Sequence, residues 1–364
     1  MSNLHRLHED FGQSPWLDNL TRDLLENGQF DRLIGLGIRG VTANPTILAN
    51  AISSSAAYDE QLDRLIHDGA RTEDAYWNLV VTDVLNALDR LQPLHESSLG
   101  QDGFVSLEVS PGLAYESAAT VQATEQLHQR IGRPNLLIKI PATAQGIHAI
   151  REATARGYSV NVTLIFSLER YDQVVEAYLC GLEQLLARGG DPRQVRSVAS
   201  FFVSRVDTEV ARRLTDTGAR REVNGKVAVA QAVVAYRRFR RAFSGHRWET
   251  LAAHGATAQR PLWASTSTKD PALADTLYVD ELIGRDTITT LPEQTIEAFN
   301  DHGTLRSALD DDRDGAIAVL QTIAELGVDL RAVGTTLEDQ GVAVFTRSFE
   351  DVLRLLREKA SAKV

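Results

Sequence analysis

Leu136-Leu-Ile-Lys-Ile-Pro-Ala-Thr143 is a short aliphatic run broken once, by a lysine. It shows no apolar–polar alternation, which is the pattern of a strand covered on both faces in a parallel sheet. Runs of the same kind flank it on either side: Ile38–Thr42 and Phe104–Val109 upstream, and Val160–Ile165, Val198–Val203 and Leu262–Ser265 downstream, with two weaker candidates at Trp16-Leu-Asp18 and Leu277–Asp280. The segments between them carry helical periodicity. Val80, Val81, Val84, Leu85, Leu88 and Leu91 share one face after Thr72. Val174, Val175, Tyr178, Leu179, Leu182, Leu185 and Leu186 share another, with Ser167 as the N-cap and Gly189-Gly190 as the stop. Thr335-Thr-Leu-Glu338 reads as a capping box opening a last helix through Val342, Phe345, Phe349, Val352 and Leu356. About eight strand–helix alternations without a change of composition predict one α/β domain over residues 1–364. It is expected to be a single (β/α)8 barrel of the TIM type with additional helices and a C-terminal helix. The Arg-rich stretch from Val206 to Pro261 is long enough for more than one helix.

Composition narrows the partners. The 364 residues include 38 Lys and Arg against 49 Asp and Glu, a net charge of −11, with no basic block. That argues against nucleic acid and against anionic membranes as partners. No stretch is long and apolar enough to span a bilayer: Gly40–Tyr58 is uncharged but contains Pro45, Asn44, Asn50 and Ser53 to Ser55. The N-terminus meets Glu9 and Asp10 before any apolar run, unlike an export signal. One cysteine, Cys180, rules out an intrachain disulfide and suits a reducing compartment, so a cytoplasmic location is expected. Cys180 itself is expected to pack in the core. Nothing in the sequence chooses between a monomer and a homodimer.

In a parallel barrel, polar groups at the C-terminal ends of strands face the mouth where chemistry occurs. Lys139 is the most informative. An ammonium among aliphatic side chains is poorly solvated, which favours the neutral amine, and a neutral amine attacks carbonyls to form a Schiff base. Alternatively it is a structural lysine at a strand end, or the partner of a carboxylate. Glu108 reads either as an acid/base with a raised pKa or as the ionic partner of Lys139. Asp18 reads as a proton acceptor or a helix cap, and Asn44 as a turn former before Pro45 or a ligand-binding amide. Asn161, Thr163 and Ser200 sit inside otherwise aliphatic strands and need polar partners, from the protein or from a ligand. Arg205 and Lys269 follow two later strands, where barrels often hold phosphate, although surface ion pairs are the common fate of such residues. Together these residues describe a pocket for a polyhydroxylated carbonyl compound.

Several motifs do not support other chemistries. Gly35-Leu-Gly-Ile-Arg-Gly40 matches a dinucleotide pattern by letter but precedes its strand instead of following one. Asn224-Gly-Lys226 lacks the phosphate-loop spacing. The nine histidines contain no His-Glu-x-x-His pair, so neither a metal nor an organic cofactor is expected.

Gly40-Val-Thr-Ala-Asn-Pro-Thr46 and Leu137-Ile-Lys-Ile-Pro-Ala-Thr-Ala-Gln-Gly-Ile147 resemble the transaldolase family. The resemblance extends through Gln13-Ser-Pro-Trp-Leu-Asp18 and Val105-Ser-Leu-Glu-Val-Ser-Pro111 to nearly the whole chain, in the manner of the family's longer bacterial branch. It implies a class I aldolase barrel that moves a dihydroxyacetone unit between sugar phosphates in the pentose phosphate pathway. Lys139 then corresponds to the Schiff-base lysine, and Glu108 and Thr163 to the pair holding a catalytic water. Asp18 corresponds to the acid/base at the C4 hydroxyl. Asn44, Asn161 and Ser200 would fix the dihydroxyacetone hydroxyls, Phe202 would lie beside the Schiff base, and Arg205 would bind phosphate. Two positions depart from the pattern. Ser265-Thr266-Ser267 stands where the shorter branch has Ser-Phe-Arg, leaving Lys269 as the substitute cation, and Gly112 stands where relatives often have Arg. Two rival readings share the pocket: a fructose-6-phosphate aldolase, in which the carboxylate is typically Gln and the aromatic Tyr, and a sugar-phosphate-binding regulator without turnover.

Overall fold

The computed structural model describes residues 1–214, 217–311 and 314–361. Eight strands close into a parallel barrel: β1 (Ser14–Leu17), β2 (Gly40–Thr42), β3 (Phe104–Glu108), β4 (Leu136–Pro141), β5 (Val160–Ile165), β6 (Ser197–Phe202), β7 (Arg260–Ala264) and β8 (Ile288–Leu291). Each pairs with the next, and β8 returns to β1 through Trp16 opposite Thr290. The (β/α)8 barrel expected from the alternating runs is the observed fold.

Register decides which side chains share the interior. Gly40 and Thr42 lie opposite Phe104 and Ser106, and Glu108 lies opposite Lys139. Lys139 and Pro141 lie opposite Asn161 and Thr163, while Ser200 and Phe202 lie opposite Leu262 and Ala264. Side chains alternate along a strand, so this single parity carries every polar residue named above toward the barrel axis. Deeper in, the Trp16 indole is fully buried beside Phe104, with ring centroids 6.1 Å apart. Gly40 makes room for it, since a Cβ there would fall 2.5 Å from the indole ring.

β5 is irregular where it matters. Val162 pairs with Ala199, but Ile165 pairs with Phe201, so β5 carries one residue more than β6 across this interval. The surplus is taken up around Leu164, whose φ is 59°. Leu164 meets the C-terminal helix Leu330–Ser361 at Gly341, where a Cβ would lie 2.8 Å from the leucine side chain. Gly334, two turns earlier, gives the same clearance over Ser167. Arg170 pairs with Glu338 through two contacts, at 3.0 and 3.3 Å. Thr46 and Ser348 share a hydrogen bond of 2.8 Å. These seats hold the helix across the barrel mouth.

Four readings of the sequence are corrected or refined. Leu277–Asp280 is a short helix, not a strand: Val279 and Asp280 both donate backbone N–H to the carbonyl of Thr276, whose hydroxyl donates to Asp280. The eighth strand is Ile288–Leu291. The Thr335–Glu338 pattern lies inside the C-terminal helix, because the threonine hydroxyls bond back to the carbonyls of Arg331 and Ala332 and Glu338 turns to Arg170. Cys180 is half-buried on the face of its helix shared with Glu176, to which its thiol donates at 3.1 Å beside Arg247, instead of packing in the core. Between Val206 and Pro261 the structure continues the helix Ser204–Arg213 and adds Thr217–Val223, Val227–Ala242 and His246–Ala253. Ser167 does cap the helix Leu168–Ala187, accepting from the Arg170 N–H. Among the described residues no helix is long and apolar enough to cross a membrane.

Candidate active site

A cavity of about 280 Å³ opens at the C-terminal ends of the strands. Asp18, Asn44, Lys139, Thr163, Ser200, Phe202, Arg205 and Lys269 all line it. Glu108 and Asn161 do not reach its surface but stand directly behind two residues that do. Phe345 and Val344, from the C-terminal helix, complete the lining from above.

At the centre, Lys139 Nζ lies 3.5 Å from Glu108 Oε2 and 3.5 Å from the carbonyl of Ala43, with the Lys139 and Glu108 side chains 6% and 4% exposed. At that separation the charges attract, but no short hydrogen bond joins them. Burial pushes the Glu108 carboxyl up to about 7 although the Lys139 charge pulls it down. Glu108 Oε2 and Thr163 Oγ1 are both buried without a hydrogen-bond partner. A buried polar atom left unpaired is costly, and two of them beside an amine are a set that a ligand or a water would satisfy.

Around this centre the polar groups are held by short-range chemistry. Thr42 Oγ1 donates to Asp18 Oδ1 at 3.0 Å, fixing one carboxylate oxygen at the end of β1. Asn44 takes both of its anticipated parts: its Oδ1 accepts from Ile47 N–H as the N-cap of the helix Pro45–Ser54, and its side chain lines the cavity. Ser200 Oγ donates to Asn161 Oδ1 at 2.7 Å, and Asn161 Nδ2 donates to Ser106 Oγ at 2.9 Å. Phe202 packs against Phe166 with the rings tilted 45° and their centroids 4.9 Å apart, and carries the Arg205 guanidinium 5.7 Å above its ring. Arg205 has no salt bridge or hydrogen bond among the described residues. Burial lowers its pKa, while Asp18 acts on it at longer range in the opposite sense. A half-buried guanidinium left without a carboxylate suits an anionic group entering from the cavity. Lys269 is exposed at the rim and donates to Ser267 Oγ at 2.7 Å.

Several lining residues were not singled out from the sequence: Thr42, Thr46, Ser265, Ser267, Thr290 and Phe345. Thr42 and Ser267 each stand two positions before a residue that was, so strand parity could have found the first. Thr290 belongs to the strand that was misplaced.

The sequence profile of the Transaldolase/Fructose-6-phosphate aldolase family matches residues 15–356. The chain belongs to this family. Individual members agree along nearly their full lengths. A protein named transaldolase from Saccharopolyspora erythraea is 46% identical over 98% of both chains. Proteins of the same name from Parafrankia sp. and Thermobifida fusca are 47% and 46% identical, over 96% and 97% of this chain and 95% and 97% of their own. The family match begins within β1 and ends in the C-terminal helix, so it takes in the whole barrel and the helix that roofs the cavity.

Proposed function

We propose that the chain is a transaldolase: it transfers a dihydroxyacetone unit from sedoheptulose 7-phosphate to glyceraldehyde 3-phosphate, giving erythrose 4-phosphate and fructose 6-phosphate, through a Schiff base on Lys139. The observation that carries this reading is the Lys139 amine, enclosed by the barrel and facing a carboxyl that titrates near neutrality. Such an amine adds to the C2 carbonyl of a ketose phosphate, and loss of water gives an iminium. Glu108, close enough to neutral pH to give or take a proton, shuttles it through a water shared with Thr163. Asp18, oriented by Thr42, takes the C4 hydroxyl proton as the C3–C4 bond breaks. The electron pair passes into the iminium and forms an enamine, and the aldose leaves.

When the acceptor aldose binds, the same steps run backward with Asp18 returning the proton. Asn44 and Ser200 serve the hydroxyls of the three-carbon unit, Asn161 stands behind Ser200 and orients it, Phe202 flanks the imine, and Arg205 with Lys269 takes the phosphate. Retention of the enamine between the two aldoses separates transfer from simple aldol cleavage, and a cavity roofed by Phe345 and Val344 favours retention. A cytoplasmic location is part of this proposal, supported by the single cysteine, which suits a reducing compartment.

The decisive experiment is borohydride reduction in the presence of fructose 6-phosphate. Inactivation with the reduced adduct mapped by mass spectrometry to Lys139 is expected. An adduct elsewhere, or none, overturns the reading, and the absence of any adduct is also what a binding protein without turnover would give.

A further inference from the structure

We infer that Ser106 is a positioning residue that sets the hydrogen-bond polarity of the substrate-binding wall. The inference rests on the Schiff-base transfer reading above and extends it to a residue outside the cavity surface. Ser106 lies on β3 two positions before Glu108, on the same inward parity, and is fully buried. Its Oγ accepts from Asn161 Nδ2 at 2.9 Å, and Asn161 Oδ1 in turn accepts from Ser200 Oγ at 2.7 Å. The relay crosses the barrel interior from β3 to β5 to β6. Asn161 is also fully buried, and Ser200, the last member, faces the cavity.

A carboxamide has one donor end and one acceptor end, so the direction in which it is held determines what each neighbour must offer. With the donor end of Asn161 engaged by Ser106, the acceptor end faces Ser200 and takes its only hydroxyl proton. Ser200 is left to present lone pairs to the cavity. It therefore accepts from a substrate hydroxyl and cannot serve as a donor to it. Asp18, just past β1, works at C4 beside C3, and Ser200 stands on β6, which is not adjacent to β1. Ser200 is therefore assigned the C1 hydroxyl, and the wall favours a donor ketose carrying that hydroxyl over its 1-deoxy counterpart. Without the Ser106 oxygen, Asn161 Nδ2 is a buried donor with nothing to bond. The amide is then free to turn and Ser200 to reorient.

The test measures kcat/KM for fructose 6-phosphate and for 1-deoxyfructose 6-phosphate with the same acceptor aldose, in the parent protein and in Ser106→Ala. The parent serves as the control on the underlying reading: if it neither transfers nor is trapped by borohydride, that reading fails, whatever Ser106 does. In a parent that transfers, Ser106→Ala is expected to lose roughly tenfold or more of the preference for the hydroxylated donor, mostly in KM. The 1-deoxy donor should be affected little. Ser106→Thr keeps an accepting oxygen and is expected to keep the preference. Equal losses on both donors, which a merely structural role would give, overturn the inference. So does an unchanged preference in Ser106→Ala, or its collapse in both variants alike.

Discussion

Lys139 Nζ stands 3.5 Å from Glu108 Oε2 across registered positions of adjacent strands, so the barrel holds an amine and a carboxyl together in a place where neither is well hydrated. Parallel pairing of β3 with β4 fixes the two Cα positions, and the shared parity turns both side chains inward. The carboxyl's titration near 7 follows from that enclosure.

The Glu108 carboxyl is raised from its ordinary 4.5 to about 7 in the fold. The folded protein therefore binds this proton more tightly than the unfolded chain, and the contribution to stability is complete below about pH 4.5 and lost as pH rises through about 7. Glu108→Gln stays neutral throughout. Its melting temperature should fall less than the parent's between about pH 5 and 8, the gap corresponding to on the order of 2–3 kcal/mol at most. Asp207, which burial also raises, is common to both proteins and cancels in the comparison. Parallel Tm–pH curves would remove the basis for the raised carboxyl.

The same variant should slow transfer by on the order of a hundredfold, the usual scale of a lost acid/base group, and increase the share of enamine released as free dihydroxyacetone. Coupled assays of aldose formation with and without acceptor measure both. Unchanged transfer refutes the water-holding role of Glu108.

Arg205 rests on the Phe202 ring, and among the described residues no carboxylate forms a salt bridge with it. Arg205→Ala is expected to raise KM for fructose 6-phosphate roughly ten- to a hundredfold, as for loss of a charge-assisted contact, while kcat/KM for unphosphorylated fructose changes by less than about twofold. An equal loss on both sugars would place Arg205 outside phosphate binding.

Gly40 faces the Trp16 indole, and a methyl there would sit 2.5 Å from the ring. Gly40→Ala should cost about 1–3 kcal/mol by overpacking, read by chemical denaturation. A variant as stable as the parent would mean that the floor of the barrel yields where the packing says it is tight.

Phe345 comes from a helix seated on Leu164 and Ser167 and hydrogen-bonded from Ser348 to Thr46. Phe345→Ala should open the cavity to water and raise the ratio of aldol cleavage to transfer several-fold, with borohydride trapping at Lys139 retained. A ratio equal to the parent's would show that this ring does not shield the enamine.

Most of the barrel was readable because buried parallel strands advertise themselves as aliphatic runs, and polar residues inside such runs stand out. Lys139, Glu108, Asn161, Thr163 and Ser200 were found that way. β8 was missed because three of the five residues of Thr287-Ile-Thr-Thr-Leu291 are threonine and the run does not look apolar, whereas Leu277-Tyr-Val-Asp280 does look like a strand although Thr276 holds it in a helical turn. The long C-terminal helix was recognised, but its start was misread, since a threonine hydroxyl that caps a helix and one that bonds back within it leave the same letters. Phe345 was read as one residue of that helix's apolar face. Which part of the face packs on the barrel and which overhangs the cavity depends on Gly334 and Gly341 meeting β5 and its loop, a contact between segments about 170 residues apart that periodicity does not encode. Cys180 shows the same limit, because Arg247 reaches its helix from a different segment.

The roof is contributed by a segment that follows all eight strands in the chain. On the ribosome, the ring bearing the lysine is synthesised before its ceiling, so a nascent polypeptide passes through a stage in which the reactive amine is housed but not yet sealed. Docking of that later-made helix ties control over the captured three-carbon fragment to a segment about 40 residues beyond the last strand.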